Sequence, residues 1–287
     1  MANRVKQVAI ILAGGIGNRL KPLSTPEKPK QFHSFFGDRT LIQSTYDRIS
    51  GLFADDQILV LGQARHVDLI QEQLPMIPRE HILLEPIMRN TAPAVQIAAH
   101  FCHLEYGNPM MVLLPADHFI EPVDIFHETL QKTMDWAKEE DGIFLLGILP
   151  DRPSVDYGYL YQGEIIAEYA RLGSFKEKPN EETAKQYLAS GEYFWNSGMF
   201  VWSTKCILQE LQQYCPDLFT AITNLSKEEL LNTAKLKQVM EPLEKISIDY
   251  AVMEKSDRLF MTKAEFQWSD LGTWEAIESF KQEMKRK

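Results

Sequence analysis

The feature that most constrains the fold is an apolar run at residues 8–12, VAIIL, in which no side chain is polar. Such a run suits a strand with both faces buried, as in the parallel sheets of α/β proteins. Similar runs recur at residues 57–61, 110–114 and 142–147, with a shorter one at 82–84. The sequence therefore predicts a buried parallel sheet through its first half.

Between these strands, apolar residues recur with helical spacing at 41–52, 66–74, 91–105 and 125–140. Alternating strands and helices predict a Rossmann-like, doubly wound α/β fold. Beyond residue 150 we predict antiparallel strands added to the same sheet at 157–161, 164–169, 172–176 and 199–203. Helices are predicted at 181–190, 204–214 and 227–239, and from 273 to the basic end at 285–287.

No linker rich in Gly, Ser or Pro interrupts the chain, and no segment repeats. The strands beyond residue 150 are too few to form a core of their own. We therefore expect one mixed α/β domain over residues 1–287, in which halves of about 1–150 and 151–287 share a continuous sheet.

The charge balance excludes several classes of partner. Forty acidic residues against 30 basic ones give a formal net charge of −10, whereas nucleic-acid and membrane-surface binding usually need a basic face. No run approaches the roughly 18 apolar residues of a membrane helix. The three cysteines form no CxxC pair. We expect a reduced, cytoplasmic protein that binds neither nucleic acid nor membrane.

A glycine-rich turn, AGGIGNRLKPL, follows the first strand at residues 13–23. Glycines let backbone amides approach an anion without obstruction by a Cβ atom, and Arg19 adds a positive fork. A second basic stretch, KPKQ, follows at 28–31. The turn is therefore a candidate phosphate site, built from Ala13, Gly14, Gly15 and Gly17.

Two other phosphate-binding motifs do not fit this turn. The dinucleotide-binding fingerprint GxGxxG fails because Leu20 stands where its last glycine should be. A P-loop would need Gly-Lys followed by Ser or Thr, which is absent. A tight turn without any ligand remains the structural alternative.

The chain resembles the sugar-phosphate nucleotidyltransferases, and most of all those that act as guanylyltransferases on mannose 1-phosphate. The matching segments are LAGGIGNRLKPLS (12–24), KPKQF (28–32), EP (85–86), RNTAPA (89–94), LPADH (114–118), YGY (157–159), FKEKP (175–179), WNSGMF (195–200), ISIDY (246–250) and WSDLGTW (268–274). The chain departs from the family pattern at Lys21, which is often Trp, and at Val155-Asp156, which is often Thr-Gly. These departures concern substrate preference more than reaction type.

This resemblance implies a role for each matching position. Arg19 and Lys30 would hold the triphosphate with the glycine turn, and Lys178 the phosphate of the sugar; these three are the expected catalytic residues. Gly158, Glu177 and Asn196 would line the sugar site with Lys178. Asp117 and Asp270 would bind Mg²⁺, with Asp117 also beside the nucleotide. The position of Asp117 after a parallel strand independently suits a ligand site.

A preference for guanine can be argued from the hydrogen bonds that the base forms. Guanine presents N1–H and a 2-amino group as adjacent donors, so its pocket requires an acceptor such as a carboxylate. Glu85 follows a short strand at the position where thymidylyl relatives carry an amide. We therefore expect Glu85 to bind guanine, with Asn90 and Thr91 nearby.

The expected reaction is transfer of GMP from GTP to α-D-mannose 1-phosphate, with Mg²⁺ as cofactor and GDP-mannose and pyrophosphate as products. Its alternatives are the same chemistry with another sugar 1-phosphate or triphosphate, and a non-catalytic homologue that binds nucleotide-sugar. A glycosyltransferase would want a DxD pair, which Asp117-His118-Phe119 does not provide. We expect no C-terminal β-helix or isomerase module, and keep a homodimer as a candidate assembly.

Overall fold

A computed structural model describes residues 6–284 and contains a nine-stranded sheet in the order β3-β2-β1-β4-β9-β6-β10-β8-β7, with a second sheet of β11 and β5. The strands are β1 Gln7–Ala13, β2 Ile58–Gln63, β3 Ile82–Glu85, β4 Met110–Pro115, β5 Phe119–Glu121, β6 Ile143–Ile148, β7 Tyr159–Ile165, β8 Tyr169–Lys176, β9 Tyr193–Ser203, β10 Leu259–Ala264 and β11 Gln267–Ser269. The helices are α1 Leu41–Ile49, α2 Val67–Gln73, α3 Thr91–Tyr106, α4 Val123–Glu140, α5 Glu181–Ser190, α6 Thr204–Tyr214, α7 Pro216–Thr223, α8 Lys227–Leu231, α9 Thr233–Met240 and α10 Trp274–Met284.

The sheet is mixed, and its parallel part contains the strands β1 to β4 that were predicted in the first half of the chain. Strand β1 pairs in parallel with β2 and β4, and β2 pairs in parallel with β3. Strand β9 runs antiparallel between β4 and β6, and β10 lies parallel to β6. The predicted fold class, a doubly wound mixed α/β sheet, is confirmed.

The apolar run in β1 explains why helices cover both faces of the sheet. Val8 and Ile10 belong to one hydrophobic cluster, whereas Ala9 and Ile11 belong to another, and all four are fully buried. Successive side chains of a strand point to opposite faces, so each face needs its own apolar cover. The first cluster includes residues of α3 and α6, and the second includes residues of α1 and α4.

Two predictions in the second half were wrong, and a third gave a strand shorter than the one observed. Residues 164–169 do not form a strand of their own, because they contain the end of β7, the turn that follows and the first residue of β8. The antiparallel strand predicted at 199–203 is confirmed as the end of the longer β9, which lies between β4 and β6 in the same sheet. The helix predicted at 227–239 divides at Asn232, whose side chain accepts hydrogen bonds from the amides of Ala234 and Lys235 and so begins a new helix.

Other elements were not predicted. Strand β10, helix α7, the β5–β11 pair and a π-helical turn at Asp249–Met253 have no counterpart in the sequence interpretation. The basic end at 285–287 lies outside the described residues. None of the helices in the described part of the chain combines the length and apolar character needed to cross a membrane.

Candidate active site

A cavity of about 400 Å³ opens beyond the carboxyl ends of β1, β3 and β4. This edge is where ligands bind in open α/β sheets. The predicted site residues that line it are Gly14, Gly15, Glu85, Asn90, Thr91, Asp117, Gly158, Glu177, Lys178, Asn196 and Asp270. One cavity thus collects residues from both halves of the chain.

The glycine turn is held in shape by two glutamines. The side-chain amide of Gln31 donates to the carbonyl of Ala13 at 2.7 Å and to that of Gly15 at 3.1 Å. That of Gln63 donates to the carbonyl of Gly14 at 2.6 Å. Three consecutive carbonyls are therefore tied back against the protein, which fixes the backbone that lines the cavity.

Gly17 shows why the end of the turn requires glycine. Its φ of 67° is in the left-handed region, and a Cβ atom would lie 2.8 Å from Cβ of Lys30. A larger residue would be strained and would push Lys30 away. Gly17 therefore fixes the end of the turn against Lys30.

Lys30 connects the two predicted metal ligands. Its ammonium lies 2.9 Å from the carboxylate of Asp117 and also donates to the backbone carbonyl of Asp270. Lys30 is only 4% exposed. Burial is the largest single effect and would raise the pKa of Asp117, but the charge and hydrogen bond of Lys30, together with His118 and a backbone hydrogen bond, hold that pKa below its ordinary value.

Arg19 joins the glycine turn to the other half of the chain. Its guanidinium lies 2.9 Å from the carboxylate of Asp156 and 3.7 Å from that of Asp270. Arg19 and Asp156 are about half exposed, so this pair contributes little to stability. The guanidinium therefore stays available for an anionic ligand.

The carboxylate of Asp270 is oriented from two sides. The hydroxyl of Tyr157 donates to Oδ1 at 2.8 Å, and the backbone amide of Gly272 donates to the same oxygen at 3.1 Å. Tyr157 in turn packs edge-on against Trp195. These contacts fix the direction in which the Asp270 carboxylate faces the cavity.

Asp117 is supported by a chain of partly buried aromatic groups. Trp268 donates through its indole nitrogen to Nδ1 of His118 at 3.1 Å, and Nε2 of His118 lies 3.8 Å from the Asp117 carboxylate. Burial lowers the pKa of His118 to about 4, so the imidazole is neutral near pH 7. Since Nδ1 accepts, the proton sits on Nε2 and points toward Asp117. Arg48 donates to the carbonyl of His118 at 3.0 Å and fixes this loop.

Asp117 and Asp270 fit a magnesium ion whose remaining ligands come from outside the protein. Asp117 and Asp270 present oxygen ligands, which a hard divalent cation prefers. Within residues 6–284, no three His, Cys, Asp or Glu side chains form a complete metal-binding set. Mg²⁺ is usually held by one or two carboxylates plus phosphates and waters, and this pair suits that arrangement.

Glu85 is a buried carboxylate that faces the same cavity. It is 5% exposed, and burial raises its pKa to about 8. Among residues 6–284, no group donates a hydrogen bond to its carboxylate or forms an ion pair with it. A Cβ atom at Gly14 would lie 3.1 Å from Oε2, so the glycine turn packs directly on this group. A buried acceptor without a protein partner is suited to a ligand donor.

Asn90 and Thr91 line the cavity but also have structural partners. The side chain of Asn90 accepts from the amide of Thr91 at 2.9 Å and begins α3. The hydroxyl of Thr91 accepts from the amide of Ile248 at 2.9 Å. The part of the cavity next to Asn90 and Thr91 is thereby joined to the segment around Ile248.

The other end of the cavity contains the predicted sugar residues. Glu177 is buried and accepts a hydrogen bond from the ammonium of Lys178, which has a left-handed φ of 44°. A Cβ atom at Gly158 would lie 2.5 Å from Oε2 of Glu177. Asn196 donates to Asp249 at 3.1 Å and accepts from the amide of Gly198 at 3.0 Å. A carboxylate, an ammonium and an amide therefore lie together at this end.

Several cavity residues were missed from the sequence. Gln31, Tyr157 and Asp249 lie in the KPKQF, YGY and ISIDY segments, which were noted without roles for these side chains. Gln63 ends β2, one strand from the glycine turn. The sequence signal that could have identified Gln63 is its position as a polar residue at the end of an apolar strand next to β1.

Comparison with known proteins shows which family this chain resembles in sequence. Residues 8–287 match the family described as nucleotidyl transferase. The chain is 36% identical over 284 residues to a mannose-1-phosphate guanylyltransferase of Escherichia coli K12, covering 95% of this chain and 59% of that protein. It is 38% identical over 283 residues to one of Salmonella montevideo, covering 93% and 58%. The chain therefore spans about three fifths of the length of these curated relatives.

A solved structure agrees at the level of the fold. A protein of Thermus thermophilus described as a mannose-1-phosphate geranyltransferase superposes with a TM-score of 0.86 at 33% identity. The match covers 96% of this chain and 79% of that one. On sequence and fold together, this chain belongs to the nucleotidyl transferase family.

Proposed function

We propose that this chain transfers GMP from GTP to α-D-mannose 1-phosphate and releases pyrophosphate. The observation that carries the proposal is that Lys30 contacts Asp117 and the backbone of Asp270, and that these two aspartates line one cavity together with Glu85 and Glu177. This arrangement offers one place for a triphosphate, one for a base and one for a sugar phosphate.

The proposed chemistry needs no general base. A phosphate monoester has its second pKa at about 6, so the attacking oxygen is already anionic near neutral pH. The barrier comes from repulsion between anions and from charge that develops on the leaving pyrophosphate. Positioned cations therefore account for most of the catalysis.

In this proposal, each basic residue exchanges a carboxylate partner for a phosphate. Lys30 moves from Asp117 to the α-phosphate and the leaving group, and Arg19 moves from Asp156 to the triphosphate. Lys178, next to Glu177, binds the phosphate of the sugar. The backbone of the 14–17 turn, tied back by its glutamines, supplies amide donors.

Asp117 and Asp270 would hold Mg²⁺, which would neutralise charge on the phosphate oxygens when bound. The contacts of Tyr157 and Gly272 keep the carboxylate of Asp270 in one orientation. Nε2 of His118 lies 3.8 Å from the Asp117 carboxylate, too far for a hydrogen bond, and adds a favourable dipole there. Preorganised ligands of this kind reduce the reorganisation needed during the reaction.

Two findings support guanine and mannose as the preferred groups. Glu85 is a buried carboxyl group without a partner in the described part of the protein; its raised pKa leaves it protonated in the empty site near pH 7, and the adjacent N1–H and 2-amino donors of guanine would stabilise its ionised form. The named relatives are mannose-1-phosphate guanylyltransferases, although the chain spans only part of their length. We place the reaction in the cytoplasm, where nucleoside triphosphates are available.

The test is a substrate matrix. Purified protein with Mg²⁺ is given GTP, ATP, UTP, CTP or dTTP with mannose, glucose or a heptose 1-phosphate, and pyrophosphate release is measured. We expect GTP with mannose 1-phosphate to give the highest kcat/KM. A higher value for UTP or dTTP would contradict the role of Glu85. A folded sample without activity on any pair would support the non-catalytic alternative.

A further inference from the structure

We propose that Asp249 binds a hydroxyl group of the sugar and, with Glu177, sets which sugar 1-phosphate is accepted. This inference rests on the proposed function and assigns a sugar contact to a residue of the ISIDY segment. Asp249 lines the same cavity as Glu177, Lys178 and Asn196. The combined hydrogen-bonding groups and charges of these four side chains determine which ligand fits this end of the cavity.

The segment that carries Asp249 is fixed at the base end of the cavity. The carbonyl of Ile246 accepts from the amide of Ala92 at 3.1 Å, and the amide of Ile246 donates to the carbonyl of Arg89 at 3.2 Å. With the Ile248–Thr91 bond already described, three hydrogen bonds attach this segment to the start of α3. Asp249 is therefore held in place by backbone contacts that do not depend on the sugar.

The same segment is attached at the sugar end. Asp249 begins the π-helical turn Asp249–Met253, and π-helical turns are rare and frequent at functional sites. Just beyond the turn, the carboxylate of Glu254 accepts from the backbone amide of Glu177 at 3.1 Å. The positions of Asp249 and Glu177 are thus coupled through one short piece of backbone.

The chemistry of the cluster favours hydroxyl groups. A carboxylate has about four acceptor positions, and Asn196 uses one of those on Asp249. Burial raises the pKa of Asp249 most, and the negative charge of Glu177 raises it further. The two carboxylates are therefore close enough to repel each other. Two neighbouring carboxylates repel a phosphate but accept hydrogen bonds from sugar hydroxyls. Lys178 beside them supplies the cation that a phosphate requires.

The ligand that satisfies the whole cluster therefore carries a phosphate and several hydroxyls, as a sugar 1-phosphate does. A site that accepts hydrogen bonds from a hydroxyl rejects analogues that lack it, because the buried acceptor is then left without a donor. Asp249 is accordingly a specificity-determining residue. A purely structural role would affect folding without changing the response to individual hydroxyls.

The experiment compares wild type with Asp249→Asn, which preserves the shape and removes the charge. We expect the KM for mannose 1-phosphate to rise about tenfold or more, while the KM for GTP changes less than about twofold. Asp257→Asn, an exposed carboxylate just beyond the same segment, is the matched control and should keep both values. An unchanged sugar KM in Asp249→Asn would overturn the proposal.

Deoxy analogues of mannose 1-phosphate identify the hydroxyl. If Asp249 binds a hydroxyl, the deoxy analogue that lacks it should lower the kcat/KM of wild type about tenfold or more. The same analogue should lower the kcat/KM of Asp249→Asn less than about twofold, as in a double-mutant cycle. Equal penalties in both proteins for every analogue would contradict a direct contact. If Asp249→Asn unfolds at a lower temperature than wild type, the same kinetic measurements are made with Asp249→Ser.

Direct binding separates this inference from the proposed function. Calorimetric titration with mannose 1-phosphate should show at least about tenfold weaker binding to Asp249→Asn than to wild type. If wild type binds the sugar phosphate but forms no nucleotide-sugar, the proposed function fails, and weaker binding by the variant still supports Asp249 as a sugar ligand. If wild type neither binds nor reacts, both fail.

Discussion

The ammonium of Lys30 lies 2.9 Å from the carboxylate of Asp117, which lines the cavity at the carboxyl end of the parallel strands. Without a ligand, a positive group expected to act on phosphate and a negative group expected to bind metal neutralise each other. Binding of a metal and a triphosphate would replace this pair with two new ones. The first two predictions follow from that exchange.

Lys30→Gln should lower kcat/KM by about 100-fold to 1000-fold, because one positioned cation is typically worth that much in a charged transition state. Lys28→Gln is the matched control, since Lys28 is exposed in the same loop. It should change kcat/KM by less than about twofold. Steady-state kinetics with circular dichroism as a folding check would measure both. A Lys30→Gln enzyme with wild-type kinetics would remove Lys30 from catalysis.

Chelation of divalent cations should abolish turnover, and added Mg²⁺ should restore it, because the two aspartates are expected to bind the ion with the phosphates. Asp117→Asn should lower turnover at least about tenfold while the fold stays intact. Binding of Mn²⁺ in the presence of GTP, followed by electron paramagnetic resonance, should weaken in the same variant. Full activity of Asp117→Asn at saturating Mg²⁺ would contradict the metal site.

Glu85→Gln should reduce the preference for GTP more than it slows the reaction. A glutamine presents one acceptor and one donor, so it no longer matches the two adjacent donors of guanine. We expect the ratio of kcat/KM for GTP to that for UTP to fall about tenfold or more. The measurement is the triphosphate series at saturating mannose 1-phosphate. An unchanged ratio would show that guanine is read elsewhere.

Glu85 should also make stability depend on pH. Burial raises its pKa to about 8 from an ordinary value of 4.5. The unfolded chain releases this proton near pH 4.5 and the folded chain only near 8, so the free energy of unfolding falls as pH rises between these values. Relative to Glu85→Gln, wild type should lose up to about 5 kcal/mol across this range. Urea denaturation at pH 5–9 tests this, and a constant difference between the two proteins would contradict it.

Gly15 and Gly158 should affect different substrates. A Cβ atom at Gly158 would lie 2.5 Å from Oε2 of Glu177, so Gly158→Ala should displace that carboxylate and raise the sugar 1-phosphate KM several-fold. A Cβ atom at Gly15 would meet nothing within 4 Å, so Gly15→Ala should fold but obstruct the triphosphate and raise the GTP KM. Each variant is the control for the other. Equal effects on both substrates in either variant would contradict the assignment of the two ends.

Much of the first half could be predicted because its signals are local. The runs that became β1, β2 and β4 are almost entirely apolar, and the turn after β1 carries its own glycine signature. The second half was predicted less well. Strand β10 pairs in parallel with β6, far away along the chain, and nothing in its own short sequence indicates that partner.

The site was predictable only in part for the same reason. Resemblance suggested Asp117 and Asp270, but spacing alone does not bring two residues so far apart in the chain together. The folded chain does so through Lys30. Asp249 could not be identified from the sequence because the role proposed for it depends on Asn196 and Glu177, which come from other segments of the chain.

By itself, the sequence determined the alternation of buried strands with helices and the glycine turn after β1, because burial periodicity and backbone freedom are properties of neighbouring residues. Only the tertiary structure decided that β9 enters between β4 and β6, and that one cavity joins Glu85 at one end to Glu177 and Asp249 at the other. Those relationships depend on strand order and on contacts between distant segments, which no local pattern encodes.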